Sequence, residues 1–209
     1  MKLCMNLCTL AHVDLKAQLR ACAAVGFTAV GLQLNKLEEY FAQGKNIGET
    51  RHLLESLKLF PLELNYFSDW IYANGVTQKE VMDRFRRFSH LSARLGCPLL
   101  ILPTQCDGEH DDALAGENLL EMCRLPAETG TRVAFEFVPW SPIDTMKKAW
   151  DLLTAVDHPN GGLVLDSFHY FKGGSRFTDL KEVPIERILI VQMADALNDP
   201  RLQAEGLSS

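Results

Sequence analysis

Three apolar runs in the second half of this 209-residue chain each hold a polar side chain that a buried strand would not otherwise tolerate. In VAFEFVPW, Glu136 stands between Phe135 and Phe137. In GLVLDSFHY, Asp166 ends the run and His169 follows three residues later. In ILIVQMADA, Gln192 interrupts the run and Asp195 lies just beyond it. A desolvated carboxylate needs a cation, a metal or a proton. Carboxylate oxygens, an amide oxygen and an imidazole nitrogen are together a donor set for a divalent metal. Each residue also has a plainer role: Glu136 paired with Arg132, Asp166 capping a turn, Gln192 a satisfied core amide. What favours chemistry is position, since three successive runs bring a donor to the same end.

That end is defined by the elements around it. Apolar strand-like runs alternate with helix-like segments along the whole chain. The strands are read at Lys2–Leu10, Thr28–Leu34, Phe60–Tyr66, Cys97–Leu102, Arg132–Val138, Gly162–Asp166 and Arg187–Ala194. Between them the 3.6-residue spacing predicts helices at Asp14–Val25, Leu37–Ala42, Ile47–Leu57, Lys79–Leu95, Asp112–Thr129, Pro142–Val156 and Phe177–Val183. Asp14 is the expected N-cap of the first, and Ser141 with Pro142 the expected start of the sixth. The stretch from Asp195 to Ser209 is polar and poorly patterned. Such alternation predicts a parallel sheet with helical crossovers, whose ligands bind at the carboxyl ends of the strands. A (β/α)8 barrel takes roughly 31 residues per unit. The seven strands of this single domain, 1–209, leave two architectures open: a doubly wound open sheet, or a (β/α)8 barrel of TIM type lacking the last βα unit.

Other polar residues fall near strand ends. Gln33 and Asn35 close the second strand. Glu63 and Asn65 share one face of the third, either towards a pocket or towards solvent. His12 follows the first strand, and His52, His90, His110 and His158 read as surface residues. Neither a nucleophile elbow nor a phosphate-binding glycine loop is present in the sequence.

Composition narrows the partners. Twenty-one basic and twenty-seven acidic residues leave a net charge of −6, against a nucleic-acid or anionic-membrane surface. No apolar run reaches the ~18 residues of a membrane span. The six cysteines are scattered without a CxxC pair, and the start of the chain does not read as a signal peptide. Reduced thiols and a cytoplasmic location are the expectation.

The segments FEFVPWSPIDT, GLVLDSFHYFKGG and ILIVQMADA resemble sugar phosphate isomerases and epimerases of the xylose-isomerase-like barrel superfamily. GFTAVGLQL resembles that group's second strand. The similarity runs through nearly the whole chain and is most specific from Val133 to Ala196. The resemblance implies a barrel with a divalent metal (Mn²⁺, Mg²⁺ or Zn²⁺) held by Glu136, Asp166 and Gln192, and a substrate contact from His169. Asn65, Trp140 and Asp195 are further candidates for substrate contact. It implies an isomerase or epimerase acting on a sugar, sugar phosphate or related polyol, with Glu136 and His169 moving protons. The family's fourth ligand, a Glu on the eighth strand, has no counterpart here, so weak activity or none is expected of the 209 residues alone. A metal-dependent 3-dehydroshikimate dehydratase shares the D-S-F-H and V-Q-M-A-D-A pattern and is the alternative reaction. A non-catalytic, sugar-binding incomplete barrel is another. The DNA-repair branch needs more His ligands and a basic groove. An open barrel edge also favours a homodimer.

Overall fold

The computed structural model describes residues 3–71, 73–104 and 111–195. The expectations for Cys106, His110 and the stretch beyond residue 195 lie outside them. Seven strands form one parallel sheet in sequence order: β1 (Cys4–Asn6), β2 (Ala29–Gln33), β3 (Phe60–Asn65), β4 (Leu99–Pro103), β5 (Arg132–Glu136), β6 (Gly161–Asp166) and β7 (Ile188–Gln192). The crossovers carry α1 (Leu15–Ala24), α2 (Leu34–Ala42), α3 (Ile47–Ser56), α4 (Gly75–Leu95), α5 (Asp112–Ala127), α6 (Met146–Val156), α7 (Ser167–Lys172) and α8 (Phe177–Leu180). β1 and β7 are the two ends of the strand order. No helix among the described residues is long and apolar enough to cross a membrane.

Side-chain alternation divides the sheet into two apolar regions. Val30, Leu32, Leu64, Leu100, Leu102, Val133, Phe135 and Leu163 point outward into the large core shared with the helices. Leu99, Ile101, Ala134 and Val164 form a separate inner cluster, with Leu189 and Ile190 packed against it. The inner cluster is the floor of the site. Two residues further along the same face of β5, β6 and β7 stand Glu136, Asp166 and Gln192.

Several boundaries differ from the sequence reading, each for a local reason. The first strand is only three residues long, because the Asn6 side chain accepts from the Cys8 amide and starts a turn of 3-10 helix over Leu7–Leu10. α2 begins at Leu34, directly off β2, and α4 begins at Gly75. The sixth helix does not start at Pro142. Its N-cap is Thr145, whose hydroxyl accepts from the Lys148 amide. Ser141 is committed elsewhere: its hydroxyl pairs with Thr104 at 2.8 Å and accepts from the Ile143 amide at 3.1 Å.

That pairing belongs to a buried network that holds the end of β5. The Thr104 amide donates to the Glu136 carbonyl at 2.8 Å, and the Thr104 hydroxyl accepts from the Val138 amide at 3.2 Å. Thr104 is fully buried, so water cannot replace these bonds. Thr104→Val keeps the shape and leaves the Val138 amide short of a partner, while Ser141 keeps its bonds to Ile143. The expected loss is about 1–3 kcal/mol of unfolding free energy by urea denaturation, with Thr104→Ser nearly neutral. A Val variant as stable as the parent would show that the network does not hold this loop.

Candidate metal centre

β5 ends on Glu136 and β6 on Asp166, both more than nine-tenths buried. Asp166 is also the N-cap of α7, its Oδ1 accepting from the His169 amide at 2.9 Å. This explains the D-x-x-H spacing: the cap bond starts the helix, and its third residue is returned to the strand end. The His169 Nε2 lies 3.7 Å from Glu136 Oε1. One donor atom each from Glu136, Asp166 and His169 falls within 4.8 Å of the other two. Gln192 is directly opposite Asp166 in the β6–β7 register.

The electrostatics follow from the burial. Desolvation, then Asp166, then Glu63 push the Glu136 carboxyl up to about 8. Desolvation holds His169 below its ordinary value, opposed by the Asp166 charge. The buried His169 Nδ1 has no hydrogen-bond partner among the described residues. Trp140, half exposed, meets the imidazole edge-on at 5.3 Å between ring centres. Two carboxylates and an imidazole are thus gathered with no Lys or Arg paired to them among the described residues.

The sequence candidates are distributed around this cluster. Glu136, Asp166 and His169 come together, with Gln192 and Trp140 as immediate neighbours. His169, expected to move protons and to contact substrate, lies within the same donor cluster. Asn65 is buried at the end of β3. Asp195 is exposed three residues past β7 and is not among the buried donors.

Glu63 and Gln33 are not among the residues expected to form the site. Glu63 is 1 % exposed and accepts from the Asn65 amide at 3.0 Å. Burial raises its carboxyl to about 6, against the pull of the Asn65 and Gln192 amides. It lies over Gly31 of β2, where any Cβ would overlap the carboxylate. Gln33 donates to the Cys8 Sγ at 3.0 Å. The available sign was the alternation that put Glu63 and Asn65 on one face.

A cavity of about 230 Å³ opens beside Gln33 and Asn65 at the ends of β2 and β3. A larger one, about 600 Å³, lies against α5 and α6, and none of the donors lines it.

Comparison with known proteins places this geometry in a family. The model for the xylose isomerase-like TIM barrel matches residues 19–204. An inosose isomerase of Halalkalibacterium halodurans is 28 % identical over 211 residues, covering 96 % of this chain and 74 % of the relative. A 3-dehydroshikimate dehydratase of Pseudomonas aeruginosa is 30 % identical over 185 residues, covering 87 % of this chain. The chain spans only 29 % of that dehydratase's length. Among solved structures, the IolI protein with a bound zinc atom superposes with a TM-score of 0.88 at 24 % identity, over 96 % of this chain and 75 % of that one. The chain belongs to the xylose isomerase-like TIM barrel family.

Proposed function

We propose that this chain is the metal-binding part of an isomerase that moves a proton between adjacent carbons of a polyhydroxy ketone. The observation that carries this is the gathering of Glu136, Asp166 and His169 within 4.8 Å, desolvated and with no Lys or Arg paired to them among the described residues. Hard carboxylate oxygens and a borderline imidazole nitrogen fit a divalent metal such as Mn²⁺, Mg²⁺ or Zn²⁺. Glu136, Asp166 and Gln192 would hold it, with His169 beside them. The metal, when bound, polarises a substrate carbonyl and its neighbouring hydroxyl.

The chain's own residues do the rest. The backbone amide of His169 occupies one Asp166 oxygen, which fixes the direction of the other. Glu136 is the group suited to accept and return the substrate proton, since it is a buried carboxylate at the centre of the donor cluster, 3.7 Å from His169. His169, kept neutral by burial, hydrogen-bonds a substrate oxygen and is steadied by the Trp140 edge. The apolar floor of Leu99, Ile101, Ala134 and Val164 keeps water from entering from below.

A second reading, dehydration of 3-dehydroshikimate, is supported by the dehydratase relative. Turnover of an inosose against 3-dehydroshikimate separates the two, since the dehydratase product is aromatic and absorbs in the near ultraviolet.

Metal binding has a direct readout. A metal at a hundred times its Kd adds about 2.7 kcal/mol to the folded state, or roughly 5–10 °C in Tm for a domain of this size. Mn²⁺ or Zn²⁺ is expected to raise the Tm by that order, and Asp166→Ala and Glu136→Gln to abolish the rise. A rise that survives in both variants would place the metal elsewhere.

The metal-free chain carries a second signature. Folded Glu136 holds its proton up to about pH 8, whereas the unfolded carboxyl loses it in the ordinary acid range. The folded state therefore binds more protons in between, and stability falls as pH rises. His169 acts in the opposite sense, but its contribution ends near the ordinary value of 6.5. Glu63 contributes only below about 6. Between pH 6.5 and 8, stability in EDTA is expected to fall by up to about 1.4 kcal/mol per pH unit. Glu136→Gln should flatten the profile, as should saturating metal. A parent profile that is flat or rising over this window would contradict the assignment.

A further inference from the structure

Resting on the polyhydroxy-ketone reading above, we propose that Gln33, Glu63 and Asn65 form an acceptor-rich cradle. It selects a neutral polyhydroxy ligand by its hydroxyl hydrogens and turns away one that carries a carboxylate.

The cradle is a lattice of four residues on two adjacent strands. Gly31 pairs with Glu63 and Gln33 with Asn65 in the β2–β3 register. All four lie on the face opposite Leu32 and Leu64, which point into the helical core. Gly31 is small because Glu63 lies across it. Glu63 in turn orients Asn65: a carboxylate accepts only from the amide nitrogen, so the Asn65 oxygen is turned away from it. Gln33 is at the N-cap position of α2 but makes no side-chain cap bond there, and its nitrogen is used on Cys8.

The three side chains are 6 %, 1 % and 1 % exposed for Gln33, Glu63 and Asn65. Gln33 Oε1 and Asn65 Oδ1 are buried oxygens with no donor among the described residues, while Glu63 is met by the Asn65 and Gln192 amides. Buried acceptors are ordinarily satisfied, so two on paired positions call for donors from outside the chain. Gln33 and Asn65 face the 230 Å³ cavity, together with Leu34, Asn35, Glu38 and Tyr66. No Lys or Arg is among those residues, and Lys36, the nearest in sequence, is paired with Glu39 at 2.9 Å. Vicinal hydroxyls supply donors in that geometry. A carboxylate brings further acceptors and a negative charge close to Glu63, with no Lys or Arg lining the cavity to pair with it.

An inosose and 3-dehydroshikimate are both hydroxylated ring ketones, and only the second carries a carboxylate. Calorimetric titration of both, with and without Mn²⁺, is the test. The parent chain should bind the inosose at least tenfold more tightly. Gln33→Leu and Asn65→Leu should each weaken inosose binding tenfold or more, while the Mn²⁺-induced rise in Tm persists. Preference for 3-dehydroshikimate, binding of neither ring, or full inosose affinity in either folded Leu variant would overturn the proposal. Because the cradle contains no proposed metal ligand, binding without Mn²⁺ tests it separately. Loss of the metal effect alone would count against the metal reading and not against the cradle.

Discussion

The desolvation of like-charged carboxylates at the mouth of the sheet is the constraint on which the rest of the structure depends. Glu136, Asp166 and Glu63 are each more than nine-tenths buried, and Glu136 feels both of the others. Such a cluster is unfavourable by itself, because burial penalises the charged forms and mutual repulsion adds to it. The chain supports it with surrounding order rather than with basic side chains. An apolar layer lies beneath, the Thr104 network holds the β5 end, and Asp166 is held by capping the first turn of α7. A rigid frame keeps the carboxylates from separating, so their repulsion persists as a demand for protons or for a metal ion.

The barrel strands were legible because they are buried on both faces. Runs such as PLLILP and GLVLD are nearly continuous in hydrophobicity, and a polar residue within or at the end of such a run stands out. Glu136 and Asp166 were visible for that reason. Glu63 stayed open between pocket and solvent, because PLELNY alternates as a half-exposed strand would. Its burial depends on Gly31 of the neighbouring strand, and so on a register with an irregularity at Val30/Gly31 that no local pattern reveals. The same holds for the shared use of Cys8 and Gln33. The misplaced start of the sixth helix has the opposite cause. A strong local start pattern at Ser141–Pro142 was overridden when Ser141 was recruited by Thr104 from another strand.

His169 shows how one local motif can serve two levels of structure. An Asp followed three residues later by a His is, locally, a helix cap and nothing more. Placed at the end of a core strand, the same cap bond sets the direction of a carboxylate and fixes an imidazole against its neighbour. The sequence alone left these two descriptions as alternatives. In the fold they are one interaction, since the hydrogen bond that begins α7 is also what assembles two of the three clustered donors.

The charge balance links the proposed metal centre to the proposed cradle. Two carboxylates, Glu136 and Asp166, with neutral His169 and the neutral amide of Gln192, would bring a divalent metal to zero net charge. A carboxylate in place of Gln192 would leave the centre negative. Beside it stands the buried charge of Glu63, which interacts with the Gln192 amide and with Asn65 of the cavity wall. A neutral polyol meets such a surface with hydroxyl donors and adds no charge. An anionic ligand would add a second negative charge where the described residues offer no basic partner, and in a desolvated site that repulsion is weakly screened. The choice of an amide at the end of β7 and the choice of acceptors at the ends of β2 and β3 are thus two parts of one electrostatic arrangement, suited to a ligand recognised by its hydroxyl groups.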